Sequence, residues 1–169
     1  TIYDEGGDVL TPKQVLNTIH EMMPEDTIVS TDVGQHQMWA IQHFHFDFPG
    51  QLLTSGGFGT MGFGLGAAIG TQVAHPDTTV LHITGDGCFR MNCHELATVE
   101  HYGLPIITVL FNNGTLGMVR QWQNLIYQKR FSQTDLDRGP DFVKLAEAYG
   151  LKGFRATTGA EFRTAFEQA

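Results

Sequence analysis

The sequence predicts an α/β fold, a three-layer α/β/α arrangement around a mainly parallel sheet, and three observations predict it. Two apolar, β-branched runs, Val80-Leu81-His82-Ile83-Thr84 and Ile106-Ile107-Thr108-Val109-Leu110-Phe111, flank a helix-length segment, which is the pattern of a βαβ unit. Each run ends in a small polar cluster, Gly85-Asp86-Gly87 after the first and Asn112-Asn113 after the second. Segments of strand and helix period alternate along the rest of the chain.

Residues 1–10 lack periodicity and hold Gly6-Gly7 among acids, so they read as a linker, with the domain proper over 11–169. Thr11-Pro12 is an N-cap with proline in the first helical turn, and Val15, Leu16, Ile19, Met22 and Met23 recur at helical spacing up to Pro24. A short strand at 27–31 ends at Asp32-Val33-Gly34. A helix over 35–45 carries Met38, Trp39, Ile41 and Phe44, and a weak strand follows at 51–55. The third strand is 80–84. A helix runs from about 88 to 101, where Tyr102-Gly103-Leu104-Pro105 stops it, and the fourth strand is 106–111. The helix over 116–127 has the apolar face Met118, Val119, Trp122, Leu125 and Ile126; residues 128–139 are a polar loop. Asp141 caps a helix bearing Phe142, Leu145, Ala146 and Tyr149, residues 151–156 are a fifth strand, and Thr158-Gly159 opens a last helix. That helix stops abruptly at Ala169, which predicts that the sequence belongs to a longer protein.

A length of 169 residues bounds one domain with a sizeable core. The formal net charge of -8 argues against a nucleic-acid or anionic-membrane surface, and Arg120, Lys129, Arg130 and Arg138 are spread as a solvated face. Cys88 and Cys93 match no metal motif and point to a reducing, cytoplasmic compartment. No apolar run approaches the ~20 residues that span a bilayer.

Both polar clusters fall at carboxyl ends of parallel strands, the edge where ligands bind in open α/β sheets. Asp86 offers a hard anionic oxygen and Asn113 a neutral carbonyl oxygen, a pair suited to Mg²⁺ or Ca²⁺ held together with a phosphate. Gly57-Phe58-Gly59-Thr60-Met61-Gly62 also satisfies G-x-G-x-x-G, so a Rossmann dinucleotide-binding domain is a second reading. Against it, the preceding strand is poor, the glycines continue through Gly64, Gly66 and Gly70, and the acid is enclosed in Gly-Asp-Gly. His82, inside an apolar strand, reads as a core histidine with a hydrogen-bond partner. His43 and His45 read as surface residues, and His94-Glu95 with His101 forms no zinc motif. Periodicity alone places Met61, Met118 and Trp122 in the core.

Gly-Asp-Gly, the interval 88–111 and then Asn-Asn resemble the signature of thiamine diphosphate enzymes. TSGGFGTMGFGLGAAIG, ELATVEHYGLP, NNGTLGMVRQWQ and DVGQHQMWA narrow this. Over nearly the whole chain they resemble the C-terminal, diphosphate-binding domain of the catalytic subunit of acetolactate synthase (acetohydroxyacid synthase). The resemblance implies Mg²⁺ ligated by Asp86, Asn113 and the main-chain oxygen of Thr115. It implies thiamine diphosphate contacts from Val33, Gly34, Gln35, His36, Gly59, Met61, Gly85, Asp86, Gly87, Cys88, Asn113, Thr115, Gly117 and Met118. Met61 would be the wedge that bends the cofactor, and Met118, Val119 and Trp122 would line the 2-oxo acid pocket. The implied reaction condenses two pyruvates, or pyruvate and 2-oxobutyrate, with loss of CO₂, in branched-chain amino acid biosynthesis. No catalytic residue falls in this chain, because the family's activating glutamate belongs to a separate pyrimidine-binding domain; FAD belongs mostly to a middle domain and is expected only in the full-length enzyme. The implied partners are those N-terminal and middle domains, a second copy in a homodimer or tetramer, and a regulatory subunit, in a bacterial cytoplasm. Gly66, Cys88 and Gly114-Thr115-Leu116 depart from the family's usual residues without removing a ligand. Alternatives are another thiamine diphosphate-dependent 2-oxo acid decarboxylase or carboligase, and a fragment that only self-associates.

Overall fold

The computed structural model describes residues 9–136 and 138–169. The linker expected over 1–10 therefore lies largely outside the described residues, although Leu10 already packs against the core. Four strands, β1 (Ile28–Thr31), β2 (Leu52–Thr54), β3 (Val80–Gly85) and β4 (Ile106–Phe111), form one parallel sheet in the order β2-β1-β3-β4. Eight α-helices accompany them among the described residues: α1 (Pro12–Met22), α2 (Gln35–His43), α3 (Phe63–Ala74), α4 (Asp86–Asn92), α5 (Leu96–His101), α6 (Gly117–Leu125), α7 (Phe142–Ala148) and α8 (Gly159–Glu167).

Alternation along the central strands assigns the two faces. Leu81 and Ile83 of β3 and Val109 of β4 join Val15, Leu16 and Ile19 of α1, Ala40 of α2 and Phe166 of α8 in one core. On the other face Leu65 of α3, Phe89 of α4, and Leu96 and Val99 of α5 form a second core, with Ile106, Leu110 and residues of α7 packed against it. The result is the expected three-layer sandwich. The strand order reverses between β1 and β3, so the crevice outside their carboxyl ends is the sheet's topological switch point.

Two expected elements differ. Residues 151–156 are not a strand and pair with no neighbour among the described residues. Gly153 at their centre brings its main chain against that of Val143 in α7, where a Cβ would lie 3.0 Å from the Val143 carbonyl oxygen, and the segment packs on that helix instead of joining the ladder. The helix expected over 88–101 begins at Asp86 and is broken by a 3₁₀ turn at Cys93–Glu95. Asn92 leaves helical geometry (φ -134°, ψ 19°) and donates through its side chain to the Gly62 carbonyl, a bond that competes with the helix ladder. The remaining expected elements are present, with ends displaced by up to two residues.

Candidate functional site

A cleft of about 240 Å³ opens at the switch point. The loop after β1 supplies Val33 and Gly34; β3 and the start of α4 supply Gly85, Asp86, Gly87 and Cys88; the segment after β4 supplies Asn113, Thr115, Gly117 and Met118. Gln35, His36, Gly59 and Met61 complete the wall, so every residue implied to touch the cofactor lines this one cleft. Of the residues implied for the 2-oxo acid pocket, Met118 and Val119 line it too. Trp122 does not. It lies half exposed on the next turn of α6, in a shallow neighbouring basin with Val119, Gln123, Ile126, Tyr127 and Arg130.

Three helices begin at the cleft. Gln35 opens α2, Asp86 opens α4 and Gly117 opens α6, and none of the three has a side-chain cap. No N-cap side chain closes their first turns, which face one space, an arrangement that favours an anion. Of the first-turn amides, that of Gln37 donates to the Gly34 carbonyl (3.2 Å) and that of Gly87 to the Asp86 carboxylate (3.0 Å). None of the lining residues is Lys or Arg. A polyanion there needs its charge neutralised by something other than a protein cation.

Asp86 is buried, and its carboxylate accepts from the amides of Gly87 (3.0 Å) and Gly114 (2.8 Å). Burial pushes its pKa up; the two amides and the Arg90 charge oppose the rise without cancelling it. Asn113 is exposed at the mouth of the cleft, and its side-chain oxygen accepts from the Thr115 amide at 3.1 Å. Thr115 forms an antiparallel bridge with Asp135, built from Leu116 N–H to Thr134 and Leu136 N–H to Gly114. That pattern makes Thr115 the non-hydrogen-bonded member of the pair, so its own carbonyl points away from the strap at 134–136. One carboxylate, one amide oxygen and one main-chain carbonyl are hard donors that leave room for phosphate oxygens, the usual surroundings of Mg²⁺. Among the described residues no cluster of three His, Cys, Asp or Glu competes for a metal.

The glycines keep the cleft open. A Cβ on Gly85 would come within 2.9 Å of the His36 ring, one on Gly87 within 2.6 Å of Leu116, and one on Gly117 would run into the Gln35 side-chain oxygen. His36 itself is buried; its ring bonds to the Asp32 main chain while Nε2 has no partner. Burial holds its pKa down at about 4, against the opposing pull of the Asp32 carboxylate. A buried nitrogen without a partner in the cleft wall and glycines that a side chain would displace fit a polar group seated there. Cys88 is a filler: its thiol donates to the Val33 carbonyl at 3.0 Å, and burial together with the nearby Asp32 charge pushes its pKa up to about 12.

Sequence reasoning missed Asp32 and the partners of His82. The Asp32 carboxylate is buried and accepts from the Gly64 amide (2.8 Å) and the Thr84 hydroxyl (2.6 Å), with His82 Nε2 at 3.2 Å. His82 is indeed a fully buried core histidine, and its Nδ1 reaches the Thr108 hydroxyl at 3.4 Å. One signal was available: Asp32 ends β1 as Asp86 ends β3, and an acid at the end of a buried strand demands partners. The 134–136 strap carried no such signal in its polar composition.

Over residues 32–169 the chain matches the family described as "Thiamine pyrophosphate enzyme, C-terminal TPP binding domain". It is 46% identical over 167 residues to the acetolactate synthase large subunit of Haemophilus influenzae, covering 99% of this chain and 29% of that protein. The large subunit of acetolactate synthase isozyme 2 from Escherichia coli is 48% identical over 165 residues, 98% of this chain and 30% of that protein. A probable acetolactate synthase large subunit of Methanocaldococcus jannaschii is 50% identical over 156 residues, 92% of this chain and 26% of that protein. The chain thus spans less than a third of the length of these relatives. It belongs to the thiamine pyrophosphate enzyme family, as a C-terminal TPP-binding domain.

Proposed function

We propose, from that membership, that the cleft holds thiamine diphosphate through Mg²⁺ and that the chain is the diphosphate-binding part of an acetolactate synthase. The observation that carries the reading is the convergence of three uncapped helix N-termini on a space whose walls contain a carboxylate and no Lys or Arg. Such a site suits a diphosphate that arrives with its own divalent cation. Asp86, the Asn113 side-chain oxygen and the Thr115 carbonyl would ligate the metal. The amides at the starts of α2, α4 and α6 would take phosphate oxygens, with Gln35 and His36 beside them.

Met61 and Met118 would press on the organic rings, and Val119 and Trp122 would face the 2-oxo acid. Thiamine diphosphate, when bound, supplies the electron sink that allows a 2-oxo acid to lose CO₂ and its remainder to join a second 2-oxo acid. This chain's residues would hold the Mg²⁺ that offsets the diphosphate charge, orient the group and keep water from the buried end of the cleft. The substrates on this reading are pyruvate and 2-oxobutyrate, and the activating glutamate comes from another domain, so the 169-residue chain alone forms no acetolactate. Titration calorimetry tests the binding half directly. Thiamine diphosphate is expected to bind with Mg²⁺, to fail with excess chelator, and to fail with the Asp86→Ala variant; metal-independent binding would overturn the assignment. Acetolactate formation by the chain alone would overturn the division of labour.

A further inference from the structure

The Asp32 carboxylate joins three elements that are distant in sequence. It lies just past β1, fifty residues from His82 and fifty-two from Thr84 on β3, and it accepts the amide of Gly64 in the first turn of α3. Helix α3 has no side-chain cap of its own, because its N-cap is Gly62 in a left-handed conformation (φ 82°). Asp32 therefore caps α3 from another element, and the loop 55–62 that leads into the helix hangs from that fixed point. Ser30 adds a second tie, donating to the Gly64 carbonyl at 2.7 Å. Gly64 admits nothing larger: a Cβ would lie 2.6 Å from His82 Nε2 and 2.8 Å from the Asp32 amide. The same loop carries Gly59 and Met61 into the cleft wall.

We propose that Asp32, tied to Thr84 and His82, is a positioning residue for the cofactor cleft. Its side chain sets where α3 begins, and with it the Met61 wall. The role rests on the reading of the cleft as a thiamine diphosphate site. Asp32→Asn tests the charge, and Thr84→Val removes the 2.6 Å bond to Asp32, together with the longer 3.2 Å contact to the Gly85 carbonyl, while keeping the shape of the side chain. Ile19→Ala, in the core on the far face of the sheet, serves as a control that destabilises without touching the network.

With thiamine diphosphate and Mg²⁺ as the probe, both network variants are expected to bind ten- to hundredfold more weakly, on the order of what loss of an orienting hydrogen bond costs. Amide hydrogen exchange over residues 59–66 is expected to quicken in both, whereas Ile19→Ala lowers the thermal midpoint and leaves the affinity unchanged. Binding by Thr84→Val equal to that of the parent chain would overturn the proposal, as would an equal loss of affinity in Ile19→Ala. If the parent chain binds no thiamine diphosphate, the reading of the cleft falls, and exchange decides the positioning role alone: quicker exchange over 59–66 in Thr84→Val upholds it, unchanged exchange overturns it.

Discussion

Three helices away from the cleft begin with a side chain that closes the first turn, and three at the cleft do not. Thr11 caps α1 and Thr158 caps α8, each in a reciprocal capping box with Gln14 and Glu161, and Asp141 caps α7 through the amides of Val143 and Lys144. At α2, α4 and α6 the N-cap positions hold Gly34, Gly85 and Leu116, which have no side-chain oxygen to offer. Capping is worth about 1 kcal/mol per helix, so three omissions in one place are a cost to the free fold. The difference teaches that a helix entered from a loop and serving packing has its first turn closed by a side chain, whereas those facing the cleft do not; α5, which continues a 3₁₀ turn, has its Leu96 amide bonded to the Cys93 and His94 carbonyls instead. Helix α3 stands between the two groups, uncapped locally and capped by Asp32 from across the sheet.

The largest effect should come from breaking that intermediate case. Asp32→Ala leaves His82, Thr84 and the Gly64 amide buried without their shared acceptor, and is expected to cost about 3–5 kcal/mol in urea unfolding. A loss below 1 kcal/mol would mean that α3 needs no cap. Next comes acid. In the unfolded chain His36 takes up a proton near its ordinary 6.5, but in the fold only near 4. The histidine's contribution is therefore complete above 6.5 and declines as the pH falls from 6.5 to 4, by roughly 3 kcal/mol in all. Unfolding curves measured across that range, with His36→Gln showing a flatter slope, check the sign. Asp32, whose pKa is held low by His82, Thr84 and the Gly64 amide in spite of its burial, adds its own loss only at lower pH, below the ordinary carboxylate value.

The open helix ends are then tested by filling them. Mg²⁺ with inorganic pyrophosphate, at one hundred times its dissociation constant, is expected to stabilise the fold by about 2.7 kcal/mol, seen as a rise in thermal midpoint. Asp86→Ala should abolish the rise. The smallest effect belongs to the capped helices: Thr158→Ala is expected to cost about 1 kcal/mol and to leave pyrophosphate binding unchanged, and a shift in that binding would break the separation between the two groups.

How much of this was legible in the sequence depended on the range of the signal. The N-cap at Thr11, the βαβ pattern around residues 80–111 and the Gly-Asp-Gly to Asn-Asn interval are local and were readable. Residues 151–156 showed a strand-like composition, but whether they join a sheet depends on the main-chain approach of Gly153 to Val143, which no periodicity encodes. The break between α4 and α5 depends on Asn92 reaching Gly62, thirty residues away. The network at Asp32 pairs groups fifty residues apart, and the strap pairs Thr115 with Asp135 through main-chain atoms that any residue would supply.

The pairing of β1 with β3 carries a kinetic consequence. The cleft lies where these two strands end, and their ladder joins Ile28 to Val80 and Thr31 to Ile83 across two intervening helices and an edge strand. Contacts of such long range form late, after the chain has met the entropy of closing a large loop. A partly folded chain with α1, α7 and α8 already capped would still have neither His36 nor Asp86 in place. The binding surface thus requires β1 and β3 to have paired, and its appearance reports that pairing.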